Sequence, residues 1–180
     1  MKIAFVQPFS QKSPGGSSQI FSNLLLGRSH QVKTCVFGKT SLVCPAENEI
    51  HVPSQKFRLK MFERSRLHFL SDALWPLSWG QCSRALKVEL DQMQPDHLHV
   101  IGHGLGFRPA SEWAFDNQRP LSLTIHDDIR HLFKGACWSA RVEDWIADAW
   151  KQATNRFVIS PEIGEEYCRR YGNRKWVQVT

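Results

Sequence analysis

No run of about 18 apolar residues, the length a membrane span needs, occurs in this 180-residue chain. The opening residues Met1–Val6 are apolar only briefly before Pro8, too short for the apolar region of a signal peptide. Both absences lead to the expectation of a cytoplasmic protein. Cysteine is sparse: Cys35, Cys44, Cys82, Cys137 and Cys168 are odd in number, widely spaced and without a C-x-x-C pair. That spacing argues against a disulfide framework or a zinc knuckle and suits a reducing compartment. Three further signatures are missing. Gly15-Gly16 is not followed by Lys-Ser/Thr, so there is no P-loop. No G-x-G-x-x-G occurs, because Phe107 stands where Gly102-His103-Gly104-Leu105-Gly106 would need its third glycine. No Asp-x-Asp metal motif, internal repeat or low-complexity tract is present.

What is present describes an ordinary globular chain, with 42% hydrophobic and 22% charged residues, 11 Gly and 9 Pro. At roughly 150 residues per domain the length corresponds to a single domain over 1–180. Lys and Arg exceed Asp and Glu by 23 to 17, a net charge of +6. Such an excess permits nucleic acid, an anionic membrane or a phosphorylated ligand and selects none of them. No nucleic-acid-binding module accompanies it, so nucleic acid is not an expected partner.

Periodicity then supplies the elements. Ile3–Val6 is a continuous apolar run suited to a strand buried on both faces. Further strands are expected at His30–Phe37, Glu49–Val52, Asp96–Ile101, Leu121–Ile125, Arg156–Ile159 and Trp176–Val179. Ile20, Phe21, Leu24 and Leu25 share one helical face, as do Cys82, Leu86, Leu90 and Met93 before Pro95. Val142, Trp145, Ile146, Ala149 and Trp150 form a third stripe, and a last helix runs from Pro161 towards Tyr171 with Gly172 past its end. Alternating strand and helix predict a Rossmann-like, doubly wound, mainly parallel sheet with helices on both faces.

Ligands in such sheets bind beyond the carboxyl ends of the strands, where strand order reverses. That edge collects Gly15 and Gly16 after the first strand, the glycine-rich loop with His103 after the fourth, His126-Asp127-Asp128 after the fifth and Ser160 after the sixth. Gly15-Gly16 can bring backbone N–H groups and a helix N-terminus to a phosphate, or simply form a turn capped by Ser17 or Ser18. The Gly102–Gly106 loop equally suits close packing. A histidine beside a carboxylate suits a base or a neutral imidazole that bonds substrate, whereas the plainer role for Asp127 or Asp128 is to start the next helix. His97 and His99 share a strand face without an evident third metal ligand. Lys56–Leu70 mixes basic and apolar residues, as a segment on anionic lipid does, or as a surface helix whose basic side chains cover core.

Six stretches, MKIAFVQP, PGGSSQIFSNLLL, RSHQVKTCVF, QPDHLHVIGHG, LSLTIHDD and RFVISPEIGEEYCRRYGNRKWVQV, resemble in order the N-terminal half of a GT-B glycosyltransferase. They are most similar to the large retaining family four of sugar-nucleotide-dependent enzymes. The resemblance implies transfer of a sugar from a nucleotide-sugar donor to a hydroxyl acceptor, either glycan or lipid. Catalytic roles then fall to His126, against the transferred sugar, and Asp127. Gly15, Gly16, His103 and Ser160 are assigned to donor-phosphate and acceptor binding. No metal and no cofactor beyond the donor are expected, while peripheral membrane contact is. No two glutamates here are separated by seven residues, as a pair in the family's nucleotide-binding C-terminal domain is, so the resemblance leads to the expectation that this domain is not part of the chain. Ser29 replaces a helix-ending glycine and Asp128 extends the His-Asp motif. The expectation is an acceptor-side domain, inactive alone. Its rival is a non-catalytic sugar- or phosphate-binding module of the same fold.

Overall fold

A computed structural model of the chain describes residues 1–10, 31–38, 47–53, 68–132 and 139–179. The strands are β1 (Lys2–Gln7), β2 (Gln31–Gly38), β3 (Glu49–Pro53), β4 (His97–Ile101), β5 (Leu121–Ile125), β6 (Asn155–Val158) and β7 (Val177–Gln178). Described helices are α1 (His68–Met93), α2 (Phe107–Asp116), α3 (Ile129–Leu132), α4 (Ser139–Gln152) and α5 (Pro161–Tyr171). The glycines Gly15 and Gly16, the helix expected around Ile20–Leu25, and all of Lys56–Leu70 except His68–Leu70 lie outside the described residues. Those last three open α1.

Seven parallel strands form one sheet in the order β3-β2-β1-β4-β5-β6-β7. Strand order therefore reverses between β1 and β4, and the carboxyl ends of all the strands share one edge. The fold is the Rossmann-like α/β sheet that the strand pattern predicts. Observed strands differ from the expected ones by a residue or so at their ends, where hydrogen-bond ladders fray.

Alternation sends successive side chains to opposite faces. Ala4, Val6, Leu98, Val100, Leu121, Leu123, Ile125 and Val158 enter one core with Leu86, Leu90, Phe107, Trp113, Ile146, Trp150 and Tyr167 of the helices. The described helices α1, α2, α4 and α5 pack on this face in that order, and Ile129 of α3 enters the same core. The opposite face carries a second apolar cluster, with Phe5 and Ile101 buried beside Ile3 and Val32. It also carries His97, His99, Ser122 and Thr124.

Two buried side chains find partners at helix ends. Arg156, 8% exposed, donates to the carbonyls of Trp150 and Lys151 and so satisfies the open end of α4. The Trp150 indole donates to the Gly172 carbonyl at 3.2 Å, tying α4 to the C-cap of α5. Trp113 donates to Asp91 at 2.6 Å, joining α2 to α1.

Candidate functional site at the strand carboxyl edge

A cavity of about 200 Å³ opens at the carboxyl edge, across the point where strand order reverses. Gln7 and Phe9 reach it from the end of β1, Ile101 and His103 from β4, His126 and Asp127 from β5, and Ile159 from β6. Three residues named from the sequence thus converge in one place: His103, His126 and Asp127. Parity explains how. Gln7 and Phe9 continue the series Ile3, Phe5; Ile101 and His103 continue His97, His99; His126 continues Ser122, Thr124. Each series lies on the sheet face opposite the described helices.

The loop after β4 is shaped by its glycines. Gly104 has φ +79°, a backbone that a side chain rarely adopts. A Cβ on Gly106 would lie 2.8 Å from Cβ of Phe37, so only glycine lets α2 start this close to β2. Close packing is therefore part of what these glycines do, and the loop sets His103 beside Phe9, with ring centroids 5.3 Å apart. Nδ1 of His103 lies 3.2 Å from Oδ2 of Asp127.

The loop after β5 is held from α5. The Tyr167 hydroxyl accepts the Ile129 N–H at 3.3 Å and donates to the Asp127 carbonyl at 3.4 Å. Asp128 accepts the Arg130 N–H at 3.0 Å, so the helix-starting role belongs to Asp128, at the head of α3. Its carboxylate also pairs with the guanidinium of Arg130 at 3.0 Å and lies 3.2 Å from Arg170. Burial acts to raise the Asp128 carboxyl, but its bonds to Arg130 and the charge of Arg170 outweigh that and hold it below the usual range.

His126 differs from its neighbour His103. Its Nε2 is buried and has no hydrogen-bond partner among the described residues. Burial, reinforced by His103 and opposed by Asp127, holds the imidazole below the usual histidine value, so it is neutral near pH 7. A buried polar atom without a partner costs about 1–3 kcal/mol, and such a cost at a cavity wall is removed when a ligand hydroxyl meets the atom.

Ser160 stands at the same edge as the N-cap of α5. Its hydroxyl accepts the Ile163 N–H at 3.4 Å, with Pro161 opening the helix. His97 and His99 bond instead to Ser122 at 2.8 Å and Thr124 at 2.6 Å, and His99 stacks between Phe5 and Phe157. Among the described residues no three metal-ligating side chains come together. No described helix is long and apolar enough to cross a membrane.

Gln7, Phe9 and Ile159 were not anticipated. Continuing the alternation of β1 and β6 past the strand ends would have found them, since it places all three on the face of His99 and Phe157.

No family model and no curated protein matches the chain. Solved structures do. UDP-GlcNAc 2-epimerase from Neisseria meningitidis, bound to UDP-GlcNAc, aligns over 94% of this chain and 43% of its own, at 12% identity and TM-score 0.59. UGT73P12 from Glycyrrhiza uralensis, complexed with glycyrrhetinic acid 3-O-monoglucuronide, aligns over 99% of this chain and 48% of its own, at 10% identity and TM-score 0.48. The chain thus spans less than half the length of each. At this identity the likeness concerns the fold alone: the parallel sheet and its helices share the Rossmann-like architecture of part of the epimerase chain.

Proposed function

We propose that the chain is the acceptor-side half of an enzyme that transfers a sugar from a nucleotide-sugar donor to a hydroxyl acceptor. The observation that carries this reading is the meeting of His103, His126 and Asp127 from two loops in one cavity at the strand-order reversal. A neutral His126 with an unpartnered nitrogen is suited to bond the sugar while charge develops on it. The donor's nucleotide is then bound by a second domain, and the 180-residue chain alone folds without transferring sugar.

Amide and imidazole NMR on the chain, titrated with a panel of UDP-, GDP- and ADP-sugars, tests the reading. Shifts at Gly102–Phe107 and His126–Asp127, lost in His126→Ala, are expected. Shifts confined to other surfaces, or sugar transfer by the chain alone, would overturn it.

A further inference from the structure

We propose that Glu49 is a positioning residue of the cavity, acting through Ser10 to hold Phe9 in its wall. For the ligand, a sugar packed against the Phe9 ring, this rests on the sugar-transfer reading of the edge; for the wall itself it does not. Glu49 opens β3, which β2 separates from β1. It lies opposite Thr34 in β2, and Thr34 lies opposite Phe5 in β1, so it shares the sheet face of Phe5 and Gln7. Its side chain is 0% exposed. The Ser10 hydroxyl, from a residue 39 positions earlier and itself buried, donates to Oε2 of Glu49 at 2.8 Å. Nε2 of His51 lies 3.4 Å from the same oxygen.

A carboxylate so far from water is costly without hydrogen bonds, which makes its bond to Ser10 a firm anchor for the loop after β1. The span it closes is short. Gln7 is held in the ladder opposite Val36, Ser10 is held by Glu49, and only Pro8 and Phe9 lie between. Pro8 has its φ fixed by its ring and packs on the loop after β4, where a Cβ on Gly104 would lie 3.3 Å from that of Pro8.

Phe9 is the exception in this span. Gln7 and Ser10 are buried, whereas Phe9 is 49% exposed and lines the cavity, its ring 5.3 Å from that of His103. A ring left half in water is not held by its own burial; its place comes from the anchors on either side. Aromatic side chains on cavity walls are the surfaces on which ligands pack. Glu49 thus acts on the ligand without touching it, through Ser10 and then Phe9.

The free chain tests the anchor. In NMR spectra of the parent, where no variant has to fold, a slowly exchanging Ser10 hydroxyl proton with Overhauser contacts to the Glu49 side chain is expected, as are contacts between the Phe9 and His103 rings. Phe9→Ala gives the His103 ring-proton shifts without the neighbouring ring current. Ser10→Ala is expected to move the parent's shifts towards those values, and to add nothing in a Phe9→Ala background. Glu49→Gln keeps an acceptor oxygen and is expected to retain the parent's shifts. Unchanged Leu123 methyl shifts show that each variant is folded. A missing Ser10–Glu49 contact, parent-like His103 shifts in Ser10→Ala, or additive effects of Ser10→Ala and Phe9→Ala would overturn the anchor. A nucleotide sugar that shifts Gly102–Phe107 is expected to bind Ser10→Ala several-fold more weakly than the parent, and equal affinity would overturn the link to the ligand. A panel without shifts would defeat the sugar-transfer reading alone, and the spectra of the free chain would still decide the anchor.

Discussion

Along β5, Leu121, Leu123 and Ile125 enter the helix-covered face, while Ser122 and Thr124 enter the other; all five are buried. The first set belongs to the hydrophobic core. The second meets histidines and leads, two residues on, to His126 at the cavity. The same division runs through β1, where Ala4 and Val6 oppose Phe5 and Gln7, and through β4, where Leu98 and Val100 oppose His97 and His99. One face of the sheet is built for cohesion. The other sets hydrogen-bonding groups in register and delivers them to the edge. Since the side-chain period is two, a single strand does both without compromise.

The sharpest way to break this comparison is to damage each face separately. Leu123→Ala on the cohesive face removes a fully buried side chain and is expected to cost about 2–5 kcal/mol. In a domain of this size that lowers the melting temperature by roughly 4–20 °C. A loss below about 1 kcal/mol by urea unfolding would mean that this face repacks freely and is not the structural one.

His126→Ala on the other face is expected to do the reverse. Under the proposed function it should lower kcat for sugar transfer by roughly 100- to 1000-fold, the effect of losing a donor to developing charge. The melting temperature should stay near that of the parent, because among the described residues no hydrogen bond to Nε2 is broken. A variant that melts early while its folded fraction turns over normally would place His126 with the core instead.

His99 lies on the hydrogen-bonding face but in mid-strand, and it sharpens the comparison most finely. Burial, with His97 and His126 adding to it, pushes its imidazole down to about 3, whereas the unfolded chain takes up that proton near ~6.5. Between those values the unfolded state binds more protons. Stability is therefore complete above ~6.5 and falls as the pH drops, by at most about 1.4 kcal/mol per pH unit from this residue. Burial lowers His97 as well, so it acts in the same direction. Urea unfolding at several pH values should show this acid limb, and His99→Gln should flatten it. A parent equally stable at about pH 4 and 6.5 would show that this face is not closed to protons.

Much of the architecture was legible because local and global preferences agree. Leu121–Ile125 reads as a strand and is one; Pro161 and Gly172 bracket α5 as its first residue and its C-cap. The helix α2 was missed although Phe107, Ala110, Trp113 and Ala114 fall on one face. Pro109 obscures it, yet Pro109 is the third residue of the helix, in the first turn, where a missing N–H breaks no ladder bond. The part of α1 before Cys82 was missed for a related reason, since the helix continues through Pro76, a residue that ordinarily interrupts one. At the site, His126 was legible from its place one residue past an apolar strand. The bond between His103 and Asp127 was not, because it depends on β4 and β5 being neighbours in a given register. Local pattern carries no information about which strand lies next to which.

Tyr167 has one more consequence. By holding both the Asp127 carbonyl and the Ile129 N–H, it gives up the conformational entropy of that turn when the chain folds, before any ligand arrives. Capture of the proposed ligand at Asp127 would therefore need little further ordering of its own loop. Affinity at this edge reflects the contacts made there more than the cost of arranging them.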